Sequence, residues 1–191
     1  LLVTFSNLPP ATRNTCRFST WKGRKRALRV CQDFLEDTEH HFLTLADGPG
    51  LGKTHLALAM AWEWIEGRRS QALYYQVESF LDELRRRYRR WQADYEGWEN
   101  DPYGLLDFAK RVPFLVLDDL GAEKGTEWAV AKLDELVDHR YLNRLKTVFT
   151  TNLRLEDLPP RIADRISGGI VLVLSGKSRR PARGEVIHER P

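Results

Sequence analysis

The chain has little cysteine and less methionine: Cys16, Cys31 and a single Met in 191 residues. The two thiols form no CxxC pair and no metal-ligand spacing. That argues against a disulfide scaffold or a zinc module and for reduced thiols in a cytoplasmic protein. No apolar run approaches the roughly 20 residues of a membrane span, so no membrane association is expected. The first residues, LLVTFSNLPPATR, lack the ordered basic leader, apolar stretch and cleavage site of a secretory signal. Internal repeats and low-complexity tracts are also missing. What is present is a length that suits one domain with a sizeable core.

Acidic residues are missing from one end. Residues 1–32 carry seven Lys/Arg and no Asp or Glu, and residues 175–191 carry five Lys/Arg against two Glu. The middle, 33–174, holds 18 basic and 25 acidic residues, a balance of −7, so the total of +3 conceals two basic ends on an acidic body. Basic ends suit nucleic acid, and they equally suit solvated terminal segments.

Hydrophobic patterning alternates between two periods. Short apolar runs at 41–46, 72–77, 113–120, 147–152 and 170–175 read as strands. Between them, 25–37, 53–67, 80–95, 103–111 and 126–145 read as helices. The helix at 53–67 is apolar nearly all round until Gly67, so it should be well covered. The helix at 126–145 has Thr126 as its cap and Val130, Leu133, Val137 and Tyr141 on one stripe. Strands alternating with helices imply parallel crossover units and a three-layer α/β sheet.

Four stretches carry chemistry. In DGPGLGKTHLALAMA (47–61) a glycine-rich loop follows a strand and opens a helix. In that setting the N–H groups of Gly50, Leu51, Gly52 and Lys53 face an anion. Lys53 reaches the β- and γ-phosphates, and the Thr54 hydroxyl can ligate Mg²⁺. The glycines at 48, 50 and 52 allow close approach of phosphate oxygens. Asp47 departs from the pattern, which asks for glycine there. The second stretch, FLVLDDL (114–120), places acids at a strand's C-terminal end, 65 residues beyond Lys53. Asp118 suits Mg²⁺, and Asp119 suits orienting or deprotonating an attacking water. In the third, TVFTTN, Asn152 ends a strand where an amide can sense a γ-phosphate. In the fourth, PPRIADRISGG, Arg161 and Arg165 share a helix face.

GPGLGKTHLA, FLVLDDLGAEKGTEW, VFTTNL and RIADRISGG, in this order and at these distances, resemble the DnaC/IstB-type branch of the AAA+ ATPases, which is related to DnaA. The resemblance covers residues 40 to 175. It implies a parallel five-stranded sheet ordered 5-1-4-3-2 and ATP with Mg²⁺ at the interfaces of a homo-oligomer. It implies a nucleotide loop of Gly48, Pro49, Gly50, Leu51, Gly52, Lys53, Thr54 and His55, with Thr54 and Asp118 at the metal. It further implies that Asp119 and Asn152 act in hydrolysis, that Arg165 reaches a neighbour's γ-phosphate as an arginine finger, and that Arg179 or Arg180 serves as a later sensor. The chain then divides into a basic segment with the first helix (1–40), the ATPase core (41–175) and a basic polar tail (176–191). The separate N-terminal partner-binding region of such loaders is expected outside these residues.

The implied function is that of an ATP-hydrolysing loader acting on a replicative helicase of DnaB type and on single-stranded DNA. A transposition helper binding duplex DNA and a transposase is the alternative, and a P-loop small-molecule kinase is an alternative of another class. In DnaA-like relatives the segment matching 79–112 touches single-stranded DNA. Here Arg85, Arg86, Arg87, Arg89 and Arg90, with Tyr88 and Trp91 beside them, suit phosphate contact and base stacking. Such arginines also suit a solvated face or pairing with acids.

Overall fold

The computed structural model describes residues 6–93, 102–122 and 126–176. Its order is α1 (Lys25–Glu36), β1 (Phe42–Ala46), α2 (Lys53–Arg68), β2 (Ala72–Gln76), α3 (Val77–Ala93), α4 (Pro102–Arg111), β3 (Phe114–Leu120), α5 (Glu127–Leu142), β4 (Lys146–Thr151), α6 (Pro160–Ser167) and β5 (Ile170–Val173). Short 3-10 turns at Pro10–Thr12, Phe18–Thr20 and Leu155–Asp157 complete it. The five strands are parallel and lie in the order β2-β3-β4-β1-β5. That is the 5-1-4-3-2 sheet implied by the resemblance.

Side chains that alternate along each strand feed two cores. Leu43, Leu45, Phe114 and Val116 pack against α1 and α2, where Phe34, Leu56, Met60 and Trp62 are buried. Phe42, Leu73, Leu115, Leu117 and Phe149 face the other way, onto α3, α4, α5 and α6. Helices on both faces explain why the strands read as continuous apolar runs. α2 is enclosed nearly all round, as its composition predicts.

Boundaries shift where local chemistry decides them. α3 starts at Val77, directly off β2, three residues before the expected position. α5 stops at Leu142 because Arg144 takes a left-handed φ of +52°. The expected stripe on α5 needs a correction. Tyr141 is 41% exposed, and the covered face is Ala129, Leu133, Leu136, Val137 and Arg140. Arg140 is fully buried because its guanidinium finds a complete set of acceptors. It donates to the Thr147 hydroxyl (2.8 Å) and to the carbonyls of Ala109 (2.7 Å), Val112 (2.9 Å) and Lys146 (2.8 Å). The Thr126 cap is present, its hydroxyl accepting from the Ala129 N–H at 3.3 Å.

At the sheet's edge, Tyr74 N–H donates to the Ser6 carbonyl (3.1 Å) and Asn7 donates to the Tyr74 carbonyl (3.2 Å). The N-terminal segment then crosses α2, where Arg13 and Arg17 pair with Glu66. β1 leads into α2 on one face of the sheet, whereas its neighbour β4 leads into α6 on the other. Such a switch point opens a crevice at the strands' C-terminal ends.

Candidate active site

That crevice holds the glycine-rich loop. β1 ends at Ala46, the loop turns over the strand ends, and α2 begins at Lys53. Gly50 and Gly52 take φ of +80° and +91°, which glycine adopts freely. Asp47 takes φ of +108°, so the position that calls for glycine by pattern also calls for it by conformation. Its carboxylate turns along the loop, with Oδ1 accepting from the Gly48 N–H at 2.6 Å. Lys53, a buried residue, donates from its ammonium to the carbonyls of Asp47 and Gly48 and, at 2.8 Å, to Oδ1 of Asn152.

β3 supplies both acids, and a bulge aims them. The β3–β4 register slips between Leu117 and Leu120, and Asp119 takes φ of +61°. In a regular strand neighbouring side chains would point to opposite faces; the irregularity re-aims Asp119 into the crevice beside Asp118. Asp118 is buried and accepts hydroxyl protons from Thr54 (3.0 Å), Thr150 (2.6 Å) and Tyr74 (2.9 Å). Burial, then the Asp118 charge, pushes the Tyr74 phenol upward, so it stays a donor. The same Thr150 oxygen accepts from the Asp119 N–H at 2.9 Å. Asn152 closes the ring, donating to the Asp119 carboxylate at 2.6 Å while accepting from Lys53.

The cleft has a volume of about 560 Å³ and is lined by the loop, both acids, Thr150, Asn152 and Gln76. The Thr54 hydroxyl and Asp118 carboxylate are adjacent hard oxygen donors, which suits Mg²⁺ completed by phosphate and water oxygens. Leu51 also lines a neighbouring cavity of about 600 Å³ whose apolar walls include Trp21, Val30, Leu172 and Leu174.

The structure therefore gathers Pro49, Gly50, Leu51, Gly52, Lys53, Thr54, Asp118, Asp119 and Asn152 in one place. It does not bring His55 there. The His55 ring packs against Trp21 (centroids 5.5 Å apart) and hydrogen-bonds the Arg17 carbonyl (3.1 Å), so it anchors the N-terminal segment. Nor does it bring Arg165 there. Arg165 pairs with Asp138 (2.9 Å) and lies over the Tyr141 ring, at the opposite, N-terminal end of the strands. Arg161 pairs with Asp134 (2.7 Å). On α3, Arg85 pairs with Asp82, and Arg86 and Arg87 pair with Glu83. Arg89 and Arg90 are exposed. The side chain of Trp91, residues Arg179 and Arg180, and nearly all of the 176–191 tail lie outside the described residues. Sequence reading missed Tyr74, Thr150 and Gln76. Tyr74 and Thr150 passed as ordinary strand residues, and Gln76, a polar residue at a strand's C-terminal end, was the one available signal.

A parallel 5-1-4-3-2 sheet with a phosphate loop after β1, paired acids on β3 and an amide ending β4 defines an AAA+ ATPase module. More narrowly, the chain belongs to the IstB-like ATP binding protein family, whose model matches residues 25–166. Among curated relatives, the replicative helicase loader DnaI of Bacillus subtilis is 30% identical over 110 residues, 57% of this chain and 32% of its own. The solved DnaC helicase loader superposes with a TM-score of 0.72 at 22% identity, covering 87% of this chain and 100% of that one. The initiator DnaA bound to AMPPCP and single-stranded DNA superposes with a TM-score of 0.75 at 18% identity, over 90% of this chain and 52% of that one. The chain spans 24% to 44% of the length of the curated relatives it matches. Among the described residues no helix is long and apolar enough to cross a membrane.

Proposed function

We propose that the chain is an ATP-hydrolysing helicase loader of DNA replication, assembling on single-stranded DNA with a replicative helicase. The observation that carries the catalytic part is the linked set Lys53–Asn152–Asp119 beside Thr54–Asp118. Lys53 is placed to exchange its loop carbonyls for phosphate oxygens. Asn152, bonded to both Lys53 and Asp119, holds the cation and the carboxylate at a fixed separation. Asp119, aimed by the bulge, orients or deprotonates the attacking water. Thr54 and Asp118 would hold Mg²⁺, which neutralises charge on the phosphates. The apolar cavity that shares Leu51 accepts the adenine ring.

Hydrolysis of ATP by the purified chain, measured alone, with single-stranded DNA and with duplex DNA, tests this reading. Stimulation by single strands and loss of nucleotide binding in Lys53→Ala are expected. Unchanged ATP affinity in Lys53→Ala refutes the site. Stimulation by duplex DNA alone favours the transposition helper, which the family match to an IstB-like protein supports as the second reading. Arg165 would act in trans, completing a neighbour's site, since it stands at the far end of its own strands. No observation among the described residues favours the small-molecule kinase.

A further inference from the structure

A tryptophan of the N-terminal segment bears on the phosphate loop. The segment starts at the edge of β2, where the Ser6 carbonyl accepts from Tyr74, and crosses α2 toward the start of α1. Near its end, the Trp21 ring reaches Gly52. A methyl group added at Gly52 would lie 2.6 Å from Cζ3 and 2.9 Å from Cη2 of that ring, closer than carbon atoms approach without displacement. Gly52 also holds φ of +91°. Position 52 thus requires glycine twice, once for its backbone and once for the ring against it.

Gly52 is the cap of α2, and its carbonyl accepts from the Leu56 N–H at 3.0 Å. Its own N–H and that of Lys53 belong to the first turn, where helical N–H groups have no intrahelical acceptor. Such groups are the ones that face a bound phosphate. A rotation of the Gly52 peptide would swing them away, and a glycine resists rotation less than any other residue. The ring that abuts it is itself fixed. The Trp21 indole N–H donates to the Arg24 carbonyl (3.2 Å), and the ring lies against His55 (centroids 5.5 Å apart). His55 is tied in turn to the Arg17 carbonyl (3.1 Å). Farther back, Arg17 pairs with Glu66 (2.6 Å), and the Thr12 hydroxyl accepts from the Trp62 indole (3.1 Å). Trp21 also forms one wall of the apolar cavity beside Leu51.

We propose that Trp21 is a positioning residue for phosphate binding: its ring braces the Gly52 peptide and keeps the Gly52 and Lys53 N–H groups aimed at the phosphates. The proposal rests on the glycine-rich loop being a nucleotide site. It does not depend on which base the neighbouring cavity takes.

The test uses inorganic tripolyphosphate, which has phosphates and no base, beside ATP, each titrated calorimetrically with Mg²⁺ into the chain. The variants are Trp21→Ala and Trp21→Leu, the second retaining apolar bulk for folding. Both bind tripolyphosphate about 10- to 100-fold more weakly than wild type, the cost of misaligning a hydrogen bond to a charged group. ATP weakens at least as much, because it also loses a wall of the cavity. In turnover the loss appears in KM and not in kcat, because Asp119 and Asn152 are untouched. The control Arg13→Gln cuts an ion pair between the same segment and α2 without touching the loop, and it binds tripolyphosphate like wild type. Unchanged tripolyphosphate affinity in folded Trp21→Leu overturns the proposal. So does a loss confined to kcat, or an equal loss in Arg13→Gln. A wild-type chain that binds neither ligand refutes the nucleotide site and the proposal with it. Equal wild-type affinities for the two ligands refute the base cavity alone, and the tripolyphosphate comparison still decides the role of Trp21.

Discussion

Substituting Asp47 three ways separates its backbone from its charge. The wild-type side chain sits at φ +108° and accepts from the Gly48 N–H. A non-glycine residue in such a region costs about 1–3 kcal/mol. Asp47→Gly removes that strain, but it adds chain entropy worth about 0.5–1 kcal/mol and loses an exposed hydrogen bond worth about 0.5–1.5 kcal/mol. The three contributions nearly cancel, so Asp47→Gly should melt within about 4 °C of wild type, given about 2–4 °C per kcal/mol for a domain of this size. Asp47→Ala keeps the strain and loses the bond, so it should melt lower by about 1–6 °C. Asp47→Asn keeps an acceptor and tolerates positive φ, so it should melt like wild type. All three remove one negative charge from the phosphate loop. At about 10 Å from one phosphate charge, that repulsion is about 0.4 kcal/mol in water and about 1.7 kcal/mol at an effective dielectric of 20. ATP should therefore bind about two- to twentyfold tighter in each. Differential scanning fluorimetry and calorimetric titration supply both readouts. Equal melting of the Gly and Ala variants would refute the strain argument, and unchanged ATP affinity in all three would refute the charge argument.

Asp119→Asn should keep ATP binding and slow hydrolysis at least about tenfold, as expected when a positioned base is lost; an equal loss of binding would make the carboxylate structural. Tyr74→Phe deletes one of the hydroxyls on Asp118 and should raise the Mg²⁺ concentration needed for half-maximal turnover while Mg²⁺-free nucleotide binding holds; an unchanged Mg²⁺ dependence would remove Tyr74 from the site. Arg165→Ala should bind ATP normally yet lose assembly-dependent hydrolysis by up to roughly 10³-fold, and mixing it with Lys53→Ala should restore part of it. Wild-type turnover of Arg165→Ala under assembling conditions would show the arginine to be structural. The His40 N–H, with the Glu39 N–H and the His40 ring, holds the Asp37 carboxyl down to about 2. A depressed carboxyl stabilises the fold above its unfolded pKa and loses that contribution as pH falls through the folded value. Asp37→Ala should thus be less stable than wild type at pH 6, with the gap closing between about pH 4 and pH 2 in urea melts.

The sheet and most of the site were legible because their signals are local. Four apolar residues ahead of Asp118 announce a buried strand, and Gly50, Gly52 and Lys53 announce a loop that turns into a helix. The missing parts depend on distance or on geometry without a local code. Tyr74 reads as one more apolar strand residue until β2 is placed next to β3, where its hydroxyl meets Asp118. His55 follows the phosphate-loop motif, yet its direction is set by Trp21, more than thirty residues away in the chain. The same limit applies on α5. A charged residue such as Arg140 belongs outside by composition, and only carbonyls from two other segments, the end of α4 and the start of β4, make its burial possible. The arginines of α3 suit either a nucleic-acid face or pairing with acids by sequence alone, and only the placed helix shows Asp82 and Glu83 paired with Arg85, Arg86 and Arg87.

Thr150 has a consequence of a different kind. Its hydroxyl carries a single proton, and because that oxygen accepts from the Asp119 N–H, the proton is committed to Asp118. One atom thus belongs to two residues at once: a side chain on one side and a peptide plane on the other. A displacement of the Asp118 carboxylate cannot be absorbed by side-chain rotation alone; it tugs on the backbone of the next residue, whose left-handed geometry leaves it little slack. Serine at 150 would preserve this coupling. Valine, of nearly the same shape, would cut it and leave two neighbouring acids that move independently.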